Sequence, residues 1–241
     1  MSASNLPDWK AELIDFALSN NILTFGSFTL KSHRISPYFV NCGLFCRAKL
    51  IRAISAAYAR TLHAYTLEHP EFDFDVLFGP AYKGIPLCAT TAEKLAGVDE
   101  RKWGEVGYAF NRKEVKDHGE GGLIVGESLQ GKRVVIIDDV MTSGKAIREA
   151  ISIIQQQGGK LVGIVVALDR QEKMPSEAEK AGKGDDGSAR GSTIGEVRRE
   201  TGVPVMAVLT LRDLIAGMEQ KGRHEDVAAM QEYYRKYAPS D

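Results

Sequence analysis

An α/β fold built on a mostly parallel sheet flanked by helices is what this sequence predicts, and three observations carry that expectation. Four short apolar runs, Phe74 to Phe78, Val106 to Phe110, Val134 to Ile137 and Leu161 to Leu168, have the length and composition of strands buried on both faces. Helical patterns separate at least two of them, the alternation that builds parallel sheets. The chain's 241 residues, 44% hydrophobic and 26% charged, suffice for one large domain with a sizeable core, so a single domain over residues 1–241 is expected.

The elements follow in order. Asp8 stands as a plausible N-cap before Leu13, Phe16 and Ala17, which are spaced as on a helix. From Arg47 to about Leu67 the residues Leu50, Ile54, Ala57, Tyr58, Leu62 and Tyr65 mark a long amphipathic helix that should cover a sheet face. A helix over Gly84 to Val98 follows the first apolar run. Another over Lys145 to Gln157 follows the third and is closed by Gly158 and Gly159. Between Met174 and Thr193 there are four glycines, many charges and one large apolar side chain, so a flexible surface insertion is expected over about 174–193. Thr193 with Glu196, and Thr210 with Asp213, have capping-box spacing and flank a strand near Val203 to Leu209. The final helix carries Val227, Met230, Tyr233, Tyr234 and Tyr237 as a packing stripe.

Thirty-one Lys and Arg against thirty-two Asp and Glu leave a formal charge of −1, which argues against nucleic acid as the main ligand. No apolar stretch approaches the ~18 to 20 residues of a membrane span, and the first ten residues lack the pattern of a signal peptide. A cytoplasmic protein without a membrane partner is therefore expected. Cys42, Cys46 and Cys88 are read as reduced, mostly buried thiols, because their number is odd and the Cys42/Cys46 spacing does not match a zinc knuckle.

The stretch Val134 to Ala146, VVIIDDVMTSGKA, is the most informative. A buried-type strand ends in Asp138 and Asp139, and Val140, Met141, Thr142, Ser143 and Gly144 then lead into a helix beginning at Lys145 and Ala146. Ligands of open α/β sheets sit at the carboxyl ends of strands, where this turn must lie. A phosphate there meets free backbone N–H groups, the positive end of a helix dipole and two hydroxyls, with Gly144 permitting close approach. The two acids are suited to accept hydrogen bonds from sugar hydroxyls and to help hold a magnesium ion. A Walker B strand would read similarly, but no Gly-Lys pair in the chain is followed by Ser or Thr, so the required partner loop is missing. Lys83 lies in a glycine-flanked loop, Gly79 to Lys83, just after the apolar run ending at Phe78, and so belongs to the same sheet edge. The polar stretch from Asn111 to Gly122 ends in three glycines and is expected to be a mobile lid loop, with Arg112, Lys113 and Lys116 offset by Glu114, Asp117 and Glu120.

The stretch Val134 to Ala146 resembles the phosphoribosyl-pyrophosphate (PRPP) motif of the type I phosphoribosyltransferases. FTLKSHRISPYF (Phe28 to Phe39), GPAYKGIP (Gly79 to Pro86), FNRKEVKDHGEGG (Phe110 to Gly122) and LDRQE (Leu168 to Glu172) are similar to the corresponding segments of that family's orotate branch, in the same order. The resemblance implies the family's fold, a central sheet with a small hood region and a mobile lid. It also implies its reaction, in which ribose 5-phosphate passes from PRPP to orotate with magnesium, giving orotidine 5′-monophosphate and pyrophosphate in pyrimidine biosynthesis. It implies PRPP contacts at Lys31, Tyr82, Lys83, Arg112, Lys113, Lys116, His118 and residues 138 to 146, with Lys113, Lys116, His118, Asp138 and Asp139 closest to the chemistry. Phe39, Val40, Thr142 and Arg170 fall on the orotate side, Arg170 as a bidentate partner for the carboxylate. A homodimer whose lid reaches the neighbouring subunit's site is implied as well. His33 stands where the family commonly has Gly, Val40 where an aromatic is frequent and Lys145 where Thr is common. A purine-type enzyme and a PRPP-sensing regulator without turnover are the alternatives, the second opposed by the presence of Lys83, Lys113 and Lys116.

Overall fold

The computed structural model describes residues 6–116 and 122–241, without the side chains of residues 115 and 116. In chain order the elements are α1 (Asp8–Ser19), β1 (Leu23–Thr29), β2 (Ile35–Val40), a 3-10 turn (Cys42–Leu44), α2 (Ala48–Glu68), β3 (Val76–Phe78), α3 (Gly84–Val98), α4 (Glu100–Trp103), β4 (Gly107–Lys116), β5 (Gly122–Gly126), β6 (Arg133–Val140), α5 (Lys145–Gln156), β7 (Lys160–Asp169), α6 (Glu177–Lys180), α7 (Thr193–Thr201), β8 (Val205–Thr210), α8 (Leu211–Gln220) and α9 (His224–Tyr237). They fall into two compact units. The first comprises Met1–Phe45, Asp169–Glu196 and Leu209–Asp241, the second Cys46–Leu168 and Val197–Val208.

The second unit holds the six-stranded sheet, in the order β5-β4-β3-β6-β7-β8. β3 pairs in parallel with both β4 and β6, and β6 in parallel with β7. All three residues of β3 and the four from Val134 to Ile137 are fully buried, as strands covered on both faces must be, which is why they read as unbroken apolar runs. α2 buries Leu50, Ile54, Ala57, Tyr58 and Leu62, the stripe its sequence marks, and packs on α3. Where the chain must pass close to itself, glycine is required: a Cβ on Gly79 would sit 2.1 Å from the carbonyl oxygen of Gly84.

The first unit contains the antiparallel β1–β2 pair, with Leu23 opposite Val40 and Thr29 opposite Ile35. Its connecting turn places His33 at φ 62°, the left-handed region that explains why glycine suits this position. α9 packs on β2 and α8, burying Val227, Met230, Tyr233 and Tyr237, and Tyr234 accepts a hydrogen bond from Arg212. The capping box at Thr210 and Asp213 is present. At α7 the cap is Ser192, whose Oγ accepts from the Gly195 N–H, and Thr193 is the first helical residue.

Several expectations are corrected. Pro7, not Asp8, occupies the N-cap of α1, and Asp8 sits in its first turn. Only Cys88 is buried. Cys42 is half-buried and Cys46 exposed because both lie in the turn region before α2. The polar stretch read as a loop from Asn111 is strand as far as Lys116, where β4 pairs with β5 antiparallel through Phe110–Val125 and Asn111–Ile124. An edge hairpin leaves one side of its backbone to solvent, so its polar residues resemble loop composition.

The segment read as a flexible insertion is instead fastened by ions. Buried Arg34 donates to Glu179 at 2.7 and 2.9 Å and to the Lys173 carbonyl at 2.8 Å. Lys173 meets Asp185 at 2.9 Å, and Arg190 contacts Glu179, Asp185 and Asp186. The Arg34 hydrogen bond holds the Glu179 carboxyl below the ordinary glutamate range, against the opposing effect of burial. A carboxyl with a depressed native pKa contributes stability at neutral pH that is lost as pH falls below the ordinary range. Arg34→Met is therefore expected to cost about 3 kcal/mol, the scale for leaving a buried charge without its partner. The corresponding drop in Tm is roughly 6 to 12 °C. The difference from the parent should shrink in acid, and thermal unfolding that shows a drop under ~2 °C would mean that the pair contributes no net stability.

Candidate active site

Because β3 and β6 run in parallel with Phe78 opposite Ile136, their carboxyl ends lie together, and the loops that follow emerge side by side. The first loop runs from Gly79 to Lys83. It is closed by the Gly84 N–H donating to the Pro80 carbonyl at 3.0 Å and tied to β4 by the Ala81 N–H donating to Asn111 Oδ1 at 3.0 Å. The Ala81–Tyr82 peptide is cis, and the Tyr82 side chain is exposed. Lys83 crosses to the carboxyl end of β6 and meets Asp139 Oδ2 at 2.6 Å.

The second loop, Met141 to Gly144, leads into α5. Gly144 takes φ 71° as the residue preceding the helix, a conformation that costs a glycine little. Thr142 and Ser143 are exposed, and the Ser143 carbonyl accepts from Arg148 at 3.1 Å. The first turn of α5, whose Lys145 N–H donates to Ser143 Oγ at 3.4 Å, thus opens at the same edge as Lys83, the arrangement that favours an anion. Lys145 opposes the helix dipole there, is largely exposed and lies 3.8 Å from Glu149 one turn on.

The two acids differ. Asp139 carries the lysine and accepts the Val140 N–H at 2.8 Å. The Asp138 carboxylate accepts the Asp139 N–H at 2.9 Å, and its carbonyl accepts from the hydroxyl of fully buried Tyr58 at 2.8 Å. Burial first, and the neighbouring Asp139 charge second, push the Asp138 carboxyl up to about 6.

On β4, beside β3, Arg112 donates to the Gly122 carbonyl at 3.2 Å and Lys113 is exposed. The Lys116 side chain and His118 lie outside the described residues. Tyr82, Lys83, Arg112, Lys113, Asp138, Asp139 and residues 140 to 146 are therefore all in the second unit, and their loops and strands adjoin at one end of its sheet. Lys31, Phe39, Val40 and Arg170 belong to the first unit. Lys31 is exposed in the β1–β2 turn, Phe39 stacks on Phe28 with ring centroids 5.6 Å apart, and Val40 is half-buried at the end of β2. Arg170 follows β7, donates to Glu172 at 2.7 Å and to Ser36 at 3.0 Å, and lies over the Tyr38 ring.

Three supporting residues escape sequence reasoning. Tyr58 reads as one of an apolar stripe, Asn111 as the start of a loop, and Glu172 only as the end of the LDRQE segment, with no role of its own. The available signal for Asn111 was its place directly after an apolar strand run, where a polar side chain can reach the adjacent loop. Cys88, under the first loop, is inert: burial pushes its thiol up to about 12. Among the described residues no group of three or more His, Cys, Asp or Glu could hold a metal by itself.

Comparisons with known proteins agree with this geometry. The phosphoribosyl transferase domain family matches residues 49–190. Orotate phosphoribosyltransferase of Neurospora crassa is 50% identical over 236 residues, covering 98% of this chain and 99% of that protein. The enzyme of the same name from Acinetobacter baumannii is 45% identical over 224 residues, 93% of this chain and 94% of the other. The crystal structure of the Francisella tularensis orotate phosphoribosyltransferase superposes with a TM-score of 0.76 at 34% identity, over 94% of this chain and 99% of that one.

The buried Asp138 carboxyl makes a prediction for the ligand-free protein. Its native pKa lies above its unfolded value of 3.8, so on its account stability falls as pH rises from about 4 to about 6 and stays lowered beyond. Asp138→Asn should therefore stabilise the protein at neutral pH by roughly 1 to 3 kcal/mol and flatten that part of the pH profile. Unfolding curves collected from about pH 4 to about pH 7 check it, and a variant no more stable than the parent at neutral pH would show that the buried charge is fully compensated.

Proposed function

The chain belongs to the orotate phosphoribosyltransferase family, which transfers ribose 5-phosphate from PRPP to orotate in pyrimidine biosynthesis, and from that premise we propose how its residues divide the work. The observation that carries the assignment is the Lys83–Asp139 contact, 2.6 Å long, which joins the first loop to the carboxyl end of β6.

In this reading the turn from Val140 to Ala146 holds the 5-phosphate of PRPP through backbone N–H groups, the Thr142 and Ser143 hydroxyls and the start of α5. Asp138 and Asp139 accept from the ribose hydroxyls. The cation of Lys83 exchanges Asp139 for pyrophosphate, beside the backbone of Tyr82. Charge grows on the departing pyrophosphate as the anomeric carbon becomes cationic. Arg112, Lys113, Lys116 and His118, with Lys31, supply fixed donors that bind this state more strongly than the ground state, which is the condition for acceleration. Lys113, Lys116, His118, Asp138 and Asp139 stand nearest the reacting groups. On the orotate side, Phe39 and Val40 serve the base and Arg170 takes its carboxylate.

Magnesium fits the donor set. Two adjacent carboxylates with no third metal-ligating partner among the described residues suit an ion that takes one or two protein oxygens and completes its shell from substrate phosphates and water. Asp138 and Asp139 would hold it through PRPP, and it would supply positive charge to the leaving pyrophosphate.

The same reading makes residues 1–241 a single functional phosphoribosyltransferase domain. It makes the β4–β5 hairpin the base of a lid over about 111–122 that excludes water and serves the neighbouring copy in a homodimer. A cytoplasmic location completes it, with small-molecule substrates and no nucleic acid or membrane partner. Among the described residues no helix is long and apolar enough to cross a membrane.

Mixing the protein with orotate, PRPP and magnesium should deplete orotate absorbance, and the loss should require both PRPP and the metal. Consumption of adenine or guanine in its place would transfer the assignment to a purine enzyme. Lys113→Ala is expected to lower turnover by ~10² or more, the scale of removing one charge-stabilising donor, and near-normal turnover would refute the lid role. Arg170→Ala should raise the KM for orotate and leave that for PRPP nearly unchanged; equal rises in both would exclude an acceptor role.

A further inference from the structure

In the first unit Arg170 ends a chain of alternating charges. Its Nε donates to Glu172 Oε1 at 2.7 Å and its Nη2 to Ser36 Oγ at 3.0 Å, while the guanidinium lies 4.5 Å over the Tyr38 ring. The protein thus takes the side edge of the guanidinium, and a carboxylate would meet the end formed by Nη1 and Nη2. Glu172 is held in turn. Its other oxygen lies 3.6 Å from Arg34, a side chain that is 2% exposed, fixed to Glu179 by two hydrogen bonds and set 4.4 Å over the Tyr237 ring. Glu179 also accepts the Ser176 N–H at 2.9 Å and lies 3.2 Å from Arg190, both in the 174–193 segment.

We propose that Glu172 is a positioning residue for Arg170, and that the relay through Arg34 and Glu179 makes the 174–193 segment the support for recognition of the acceptor's carboxylate. The proposal rests on the acceptor-side reading of Arg170 and goes beyond it by naming what aims that arginine. An arginine on a free stem loses rotamer entropy when it binds, and one already clamped on its side edge and face loses less. Charge alone predicts the opposite sign: removing an acid beside an arginine should strengthen its attraction for an anion. The two accounts therefore separate in a single measurement.

Steady-state kinetics of Glu172→Gln, Arg170→Ala and the double variant, with orotate and PRPP varied in turn, provide the test. Glu172→Gln is expected to raise the orotate KM by about tenfold, within the range of residues coupled in one ion-pair network, with the PRPP KM within about twofold of the parent. In the Arg170→Ala background the same change should add less than about twofold, because its effect runs through the missing arginine. An orotate KM that stays level or falls in Glu172→Gln, while Arg170→Ala raises it, overturns the positioning role and leaves the acceptor reading intact. A full tenfold addition in the double variant also overturns it. No orotate effect in Arg170→Ala overturns both. Glu179→Gln should raise the orotate KM selectively, and a loss of Tm without that rise would remove the segment from the relay. Should Glu172→Gln fail to fold, Glu172→Asp keeps the charge, shortens the reach and carries the same expected direction.

Discussion

Parallel pairing of β3 with β6 decides the geometry of the second unit. The register that sets Phe78 opposite Ile136 points both carboxyl ends the same way, with β6 running on to Val140, and the chain leaves that end of the sheet twice, through the loop ending at Lys83 and the turn ending at Gly144. No polar contact is needed to bring the two loops together. Seven fully buried apolar residues, Val76 to Phe78 and Val134 to Ile137, hold the strands in place, and the polar chemistry is hung from their ends. Gly79 and Gly84 let the first loop fold back tightly enough to begin α3, and Asn111 fastens it to β4.

That edge then concentrates opposite charges which the whole chain nearly cancels. A formal charge of −1 counts Asp138, Asp139 and Lys83 without regard to place. In space they form one cluster, with Lys83 on Asp139 and the Asp138 carboxyl raised by burial and by its neighbour. Such a cluster resists a further acid but suits a ligand that brings hydroxyls to the carboxylates and anionic oxygens to the lysine. Balanced total charge argues against long polyanions and says nothing against a small sugar phosphate held by local cations and a helix end.

The parts legible in the sequence are those whose burial is simple. Strands covered on both faces appear as continuous apolar runs, and α2, α3 and α5 appear as stripes with glycine punctuation, so β3, β4, β6, β7 and the helices between them could be read directly. The edge hairpin could not. Arg112, Lys113 and Glu114 are polar because the edge of a sheet is half solvated, and Leu123 to Val125 lie between glycines that mark a loop by composition. The β1–β2 pair was equally obscure: Phe28, Ile35 and Phe39 are exposed or half-buried, so no clean alternation marks either strand. The strand, turn and helix start of Val134 to Ala146 were legible because strand, acids, hydroxyls and glycine occur in one run. Tyr58 and Asn111 were not, since each acts on a segment distant in sequence, and Glu172 was not, since its contact with Arg34 is equally distant.

The 174–193 segment shows where composition misleads in a specific way. Counting large apolar side chains measures how much core a segment can add, and here that count correctly gives little. It does not measure buried ion pairs, which order Glu179, Asp185 and Arg190 with no contribution from oil-like packing. Such pairs are an inefficient way to stabilise a protein, because desolvation consumes most of the Coulomb attraction, whereas apolar residues of the same volume would serve as well or better. What ion pairs supply and apolar packing does not is direction: Arg34 donates two hydrogen bonds to Glu179, and rotation away from that arrangement costs a carboxylate 2% exposed to water two of its donors. A polar segment clasped in this way is therefore better suited to orienting a neighbouring charged side chain than to enlarging the core.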